Sequence, residues 1–325
     1  MSRGTEGGDR RGAALVAAVL LVALLAAVVL AVQETVGFEA ANSSAAACDV
    51  EERLAFRSGI EVARRMLLED ADLACDSASE PWASERRTAT VNGLAVGVRL
   101  IDECGKLALP GPGTPGARYD VPRAHREFAA SCLGRLEGLL RLRQGSLARR
   151  GARPLVMEEM LSEPGVTAEV FYGVRSADGG GGGGGGWGGG GVSGLADCVT
   201  LWTDGRVNVN TAPREVLESL GPEVTEEVAS TVIEVRRRSP FRSAGEFGSL
   251  SSSLGGLVER AGEHLRVSSD CFRAEITVAR GAGSRTGFAV LRRRRGRVEP
   301  VIWGMGLWAE GASGVGDAPA GGRSG

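Results

Sequence analysis

Residues 11–32 read RGAALVAAVLLVALLAAVVLAV, and from position 13 onward there are twenty residues without a charge or a strong polar group. A helix of that length covers roughly 30 Å, the hydrocarbon thickness of a bilayer. It has no polar face, which argues against a buried helix of a soluble protein. A secretory signal peptide needs a small-residue cleavage site after a shorter apolar run. Ala40-Ala41-Asn42 offers such a site, but the run is long for that class. The stretch is therefore read as a retained membrane anchor. Arg3, Arg10 and Arg11 precede it against Glu6 and Asp9, which favours a cytoplasmic N-terminus. No second run of this kind follows, so the rest of the chain is expected on the far side of the membrane.

The chain has 325 residues and a formal net charge of -2. That balance gives no argument for a nucleic-acid partner. It contains 50 glycines, and Lys106 is its single lysine. Beyond the anchor lie Cys48, Cys75, Cys104, Cys132, Cys198 and Cys271, with no C-x-x-C pair and no metal-type spacing. In an oxidising compartment all six are candidate disulfide cysteines, with a pairing the sequence does not fix. The alternative is that some are small buried side chains.

Working outward, residues 50–70 place Val50, Leu54, Ile60, Met66 and Leu67 among charges at helical spacing. The anchor helix is expected to continue and lay an apolar stripe on a further domain, with 42–48 a weaker point and Pro81 beyond its end. Residues 88–109 read as two strands about Asn92-Gly93, a hairpin signal because both residues tolerate positive φ. A second turn falls near Cys104-Gly105-Lys106. PGPGTPG at 110–116 ends the sheet.

Residues 120–173 have helical spacing at Leu133, Leu136, Leu139 and Leu140. Two short helices are expected around Pro164-Gly165, with Thr167 as an N-cap and Val170 and Phe171 facing inward. Residues 179–191, GGGGGGGGWGGGG, read as a flexible loop that carries Trp187. After alternation at Val207 and Val209, Asn210 or Thr211 is expected to cap a helix with Pro213 near its first turn. Helices follow around Val216–Leu220, at Glu226–Arg237 and from Ser243 to Leu250, and 251–262 reads as a Ser/Gly-rich connection. Strands return at 265–281, 285–294 and 297–306, with Pro300 assigning the last to an edge. Strands on both sides of a helical block suggest one α/β domain interrupted by an insertion.

No framed catalytic site is visible. G-x-S-x-G, H-E-x-x-H and a P-loop are all missing. His125 and His264 read as ordinary boundary residues. Asp102-Glu103 could help hold a divalent cation, or serve as polar turn residues. The arginine run 292–295 reads as a solvated strand end. The stretch from Val207 to Phe247 resembles the helix-hairpin-helix units of DNA-uptake proteins, where hairpin amides hold phosphates. Here the hairpin is Leu220-Gly221-Pro222-Glu223-Val224. Pro222 lacks an N–H, Glu223 is acidic, and glutamates outnumber arginines around it. A membrane-anchored DNA-binding or uptake protein is the alternative this motif leaves.

The order of parts, and four stretches in particular, resemble the type II secretion system protein K family, the minor pseudopilins of that export machine. The stretches are Arg11-Gly12-Ala13 entering the apolar run, Ile101-Asp102-Glu103-Cys104-Gly105-Lys106-Leu107 after the hairpin, Glu158-Glu159-Met160 through Thr167, and Gly205-Arg206-Val207-Asn208-Val209-Asn210-Thr211-Ala212-Pro213. The resemblance spans residue 11 to about 303. It implies an α+β, type IV pilin-like fold, a long N-terminal helix packed on an antiparallel sheet, with a large inserted helical domain containing helix-hairpin-helix-like units. Its parts would be a leader at 1–12, a transmembrane helix at 13–32, pilin-like helix and strands at 33–109, the insertion at 110–262, returning strands at 263–305 and a disordered tail at 306–325.

The resemblance further implies that prepilin peptidase cuts between Gly12 and Ala13 and that Ala13 becomes the N-methylated residue. Ala17 stands at the fifth mature position, where most pilins carry glutamate; family K proteins lack it too, which suits a subunit at the fibre tip. The implied role is non-enzymatic: a minor pseudopilin that helps initiate the pseudopilus for protein secretion across the outer membrane. Implied partners are the other minor pseudopilins, the major pseudopilin, the inner-membrane assembly platform and the peptidase, with no nucleic acid. The implied location is the cell inner membrane, single-pass, with the bulk of the chain periplasmic. Calcium is the one cofactor implied, with no ligand set matched here. An Asp-Trp-x-Asp stretch frequent in the family is missing between 110 and 155.

Overall fold

A computed structural model describes residues 6–109, 121–143, 147, 157–163, 165–173 and 193–310. The glycine tract, Trp187, the 110–116 segment, Pro164 and the end of the chain past residue 310 lie outside the described residues. The first helix, α1, runs from Glu6 to Leu68 without interruption, including the 42–48 segment expected to weaken it. The chain divides into two units, Met1–Leu54 and Ala55–Gly325. In the first, α1 presents the span Val16–Glu34, whose mean hydropathy is 2.9, with its side chains exposed. Its length and composition fit a membrane crossing.

The second unit begins with the last turns of α1. Ala55, Phe56, Ile60, Ala63, Met66 and Leu67 are buried at helical spacing; of the stripe expected from sequence Ile60, Met66 and Leu67 belong to it, whereas Val50 and Leu54 are exposed. The short helix α2 (Pro81–Ser84) follows, then β1 (Arg87–Val91), β2 (Leu94–Asp102) and β3 (Leu107–Ala108). The helical segment holds α3 (Arg123–Leu139), a 3-10 turn at Met157–Ser162, α4 (Ala168–Tyr172) and α5 (Leu195–Cys198). It continues through β4 (Val199–Thr200), β5 (Val207–Asn208), α6 (Arg214–Ser219), α7 (Glu226–Arg238), α8 (Ala244–Gly248) and α9 (Ser252–Ala261). A 3-10 turn at Gly262–His264 leads into β6 (Leu265–Arg266), β7 (Cys271–Arg280), β8 (Gly283–Arg294) and β9 (Arg297–Glu310).

Strands from both sides of the helical segment share one antiparallel sheet in the order β1-β2-β7-β8-β9. One face of it receives α1. Val96, Val98, Leu100, Phe272, Ala274, Ile276, Val278, Ala289 and Leu291 form a single cluster with Phe56, Ile60 and Leu67. The approach is close. A Cβ on Gly59 would lie 2.6 Å from Ile276 Cγ2, and one on Gly287 would lie 2.5 Å from Phe56. The helical segment has its own core, built from Leu133, Leu136, Val216, Leu217, Val232, Phe247 and Leu257. Two short parallel pairs, β3 with β4 and β5 with β6, stitch its ends.

Two of the three hairpin turns place both central residues at positive φ. Asn92 and Gly93 have φ 51 and 79, the type I′ pattern that the sequence announces. The β8–β9 turn repeats it with Arg295 at 48 and Gly296 at 75. Three expectations are corrected. Residues 251–262 are mostly a helix, because Leu254, Leu257 and Ala261 bury one face and the Ser251 side chain accepts the Leu254 N–H at 3.2 Å. The helix after GRVNVNTAP is capped at Pro213, while Asn210 and Thr211 are buried in polar contacts described below. The last strand runs on to Glu310, past the expected end at 305. Pro300 does lie in an edge strand, opposite Leu291 beside a register shift.

Candidate functional site: a buried polar junction around Asn208

The segment GRVNVNTAP crosses from β5 to the start of α6, and its polar residues turn inward. Asn208, Asn210 and Thr211 are all buried, while Val207, Val209 and Ala212 join the helical core. Buried polar groups need partners, and these have them. Asn208 Nδ2 lies 3.0 Å from the Asp76 carbonyl, 2.8 Å from Ser269 Oγ and 3.2 Å from Asp102 Oδ2. Its backbone N–H donates to the Cys104 carbonyl at 2.7 Å. The Asn210 amide donates to the Phe241 carbonyl and accepts the Phe241 N–H, both at 2.9 Å. Thr211 and Ser269 hydroxyls donate to Asp102 Oδ2 at 2.5 and 2.6 Å, and the Cys104 N–H donates to Oδ1 at 2.8 Å. Arg236 of α7 reaches in from the other side, donating to the carbonyls of Val209 (2.6 Å) and Ala212 (2.7 Å).

Arg293 closes the junction on the sheet side. It pairs with Asp70 at 2.5 Å and with Asp76, donates to the Ser269 carbonyl at 3.0 Å, and lies 4.9 Å above the Phe272 ring. Burial pushes the Asp76 carboxyl up to about 7 against the pull of Arg293, and burial raises Asp102 as well. Arg293 was expected in a solvated strand end; it is buried instead, because its position in β8 faces α1 and the carboxylates that follow that helix.

Asp102 and Glu103 are likewise neither solvated nor free to bind an ion. Glu103 Oε1 lies 2.8 Å from Lys106 Nζ, and Oε2 accepts from Thr200 Oγ1 at 2.5 Å. Burial raises the Glu103 pKa, but Lys106 and Arg273 outweigh it and hold the carboxyl below its usual range. Asp70, Asp76 and Glu80 do bring carboxylate oxygens within 4.8 Å of one another. A cation there would have to displace Arg293. Glu80 is also engaged, accepting from the Ser77 N–H at 2.8 Å and from Trp82 Nε1 at 2.7 Å. The local positive charge is supplied by arginine, and this donor set does not fit calcium without rearrangement.

The six cysteines are free thiols in the structure, all but Cys48 buried. Burial raises Cys75 and Cys132 to about 11 and raises Cys104, Cys198 and Cys271 further, so these thiols are poor nucleophiles. The two histidines, separated by most of the insertion, meet: His125 Nδ1 lies 2.7 Å from His264 Nδ1, and His264 stacks on Phe128. In the hairpin between α6 and α7, Leu220, Gly221 and Val224 are buried and Pro222 is exposed. Arg135 of α3 donates to the carbonyls of Ser219 (2.5 Å) and Leu220 (3.1 Å), and Arg260 pairs with Glu223. Its polar groups serve packing, and nothing here supports the DNA-binding alternative. Gly12 and Ala13 lie within α1.

The arrangement is therefore that of a protein with an apolar N-terminal helix and an antiparallel sheet, interrupted by a helical insertion and joined to it by a fully paired polar node. Residues 207–268, which carry most of that node's insertion side, match the family model for type II secretion system (T2SS), protein K. No curated protein matches the chain by sequence. Among solved structures, the chain is similar to one from the crystal structure of the GspK–GspI–GspJ complex of the enterotoxigenic Escherichia coli type 2 secretion system. The identity is 14%, the TM-score 0.56, and the match covers 82% of this chain and 99% of that one. The family match covers part of the helical segment, and the structural match shows a shared fold.

Proposed function

We propose that the protein is a minor pseudopilin of a type II secretion system, placed at the tip of the pseudopilus, where it helps initiate assembly for protein export. The observation that carries this reading is the protein K match over 207–268, on a chain 82% of which is covered by the structural match to a chain in the GspK–GspI–GspJ complex. The role is non-enzymatic. The polar residues of the junction are paired with one another and rigidify the join between sheet and insertion. In this reading the fold is pilin-like, and α6 and α7 are a helix-hairpin-helix unit kept for packing.

Partners by the same reading are two further minor pseudopilins of the GspI and GspJ kind, the major pseudopilin and the inner-membrane platform. The anchor at 13–32 crosses the inner membrane with its N-terminus cytoplasmic and leaves the bilayer during assembly. Ala17 in place of a glutamate suits a subunit with no neighbour above it. Prepilin peptidase cuts between Gly12 and Ala13. Mass spectrometry of the membrane-extracted protein is expected to find a chain beginning at N-methylated Ala13 when the peptidase is present. An N-terminus at Met1 under those conditions would overturn the assignment.

A further inference from the structure

The β8–β9 turn gathers five arginines: Arg292 donates to the Trp202 carbonyl at 2.8 Å and Arg293 is held in the junction, while Arg294, Arg295 and Arg297 are exposed. The register sets Arg294 opposite Arg297 and Arg292 opposite Glu299. Leu291 and Ala289 face α1, so by strand alternation Arg292 and Arg294 lie on the other face of the sheet. Three guanidinium groups thus share a face with one carboxylate, and Arg295 at the turn adds a fourth. Like charges directly opposite each other on a sheet are destabilising. Arg294, Arg295 and Arg297 are exposed and have no ion-pair partner among the described residues. With Arg292, Glu299, Pro300 and Val301 they line a cavity of about 760 Å³. The chain as a whole carries a net charge of -2, so this concentration does not follow from composition.

A second observation narrows the ligand. One wall of the cavity is β9, the last strand of the sheet, and no strand pairs with its outer edge among the described residues. An open edge offers backbone acceptors and, except at Pro300, donors that only another polypeptide can use in register. Along it Ile302 and Trp303 are 37% and 45% exposed. We propose that the cavity and the free edge of β9 bind an extended, carboxylate-rich segment of a partner protein. Its acidic side chains would take the Arg294, Arg295 and Arg297 forks, and its backbone would add to the edge. Guanidinium forks match carboxylates in bidentate fashion. Filling the space between Arg294 and Arg297 would also relieve their repulsion. This inference holds whether or not the secretion reading is correct.

The test uses the full chain in detergent micelles and a short fluorescein-labelled peptide that alternates glutamate with valine and threonine. Binding by fluorescence anisotropy is expected to weaken about tenfold or more in R294Q/R297Q and to weaken as salt rises. It is expected to vanish when glutamine replaces glutamate in the peptide and to fall when proline interrupts its backbone. The double variant is expected to melt no lower than the parent, because it loses a like-charge pair; R295Q, at the turn, provides an independent weakening. Absence of binding by the glutamate peptide would overturn the proposal, as would binding indifferent to these arginines. So would Arg294- and Arg297-dependent binding of phosphatidylglycerol vesicles or a single-stranded oligonucleotide in preference to the peptide.

Discussion

Lys106 shows what single residues contribute here. The chain's single lysine is buried against Glu103, with the Ala196 carbonyl 3.1 Å from its ammonium. Removing one partner of a buried pair leaves an uncompensated charge, which typically costs about 3–5 kcal/mol. Arg273, 3.4 Å from Glu103, remains to share the load, so Lys106→Met is expected to cost about 3 kcal/mol at pH 7 by urea denaturation. The loss depends on pH. Glu103 is held below its unfolded pKa of 4.5, so its stabilisation is present above that value and fades as pH falls through the folded pKa. The gap between wild type and K106M is therefore expected to close in acid. The sequence marks Asp102-Glu103 and GRVNVNTAP as informative stretches, but leaves the former between a cation site and polar turn residues. Their partners, Thr200, Ser269 and Asn208, come from distant positions, and no local pattern reports that a carboxylate will be covered. The meeting of His125 with His264 was hidden for the same reason.

At the scale of elements, local chemistry was legible wherever it was local. The α1 stripe, the Asn92-Gly93 turn, the Thr167 cap and the Pro300 edge follow from periodicity and backbone preference. The Thr167 hydroxyl accepts the Val170 N–H at 3.3 Å, as a cap should. What failed was composition read without period: the Ser/Gly content of 251–262 concealed Leu254, Leu257 and Ala261 on one face of α9. The chain between α4 and α5 supplies a prediction. Gly173 and Gly194 meet backbone to backbone; a Cβ on Gly194 would lie 2.3 Å from the Gly173 nitrogen. The ends of the segment they bracket are already together, and closing a loop costs little more as it lengthens. Replacing residues 174–192 by a short Gly-Ser link is expected to change stability by less than about 1 kcal/mol. Gly194→Val is expected to destabilise the α4–α5 pair strongly. Thermal melts of the two variants distinguish them: an equal loss in both would mean that the bracketed segment itself holds the insertion.

At the scale of the whole second unit, two apolar cores have to behave as one structure. One lies between α1 and the sheet, the other within the helical segment. Between them runs the polar junction, in which Asn208 binds the Asp76 carbonyl, Asp102 and Ser269 at once. Each of those partners belongs to the sheet side, whereas Asn208 continues into α6. A network whose members are all satisfied specifies one arrangement, and a half-satisfied one does not. Asn208→Leu keeps the volume but orphans Asp102 from one donor and leaves the Asp76 carbonyl buried and unpaired, a cost of about 1–3 kcal/mol per group. The wild-type protein is expected to lose amide protection in α7, α9, β2 and β7 together as denaturant rises, because neither core opens without the other. In N208L the helical segment is expected to exchange at lower denaturant than the sheet. If the substitution lowers both cores equally and they still open together, the coupling does not pass through this residue and must be carried by the apolar contacts of β3 and β6 instead.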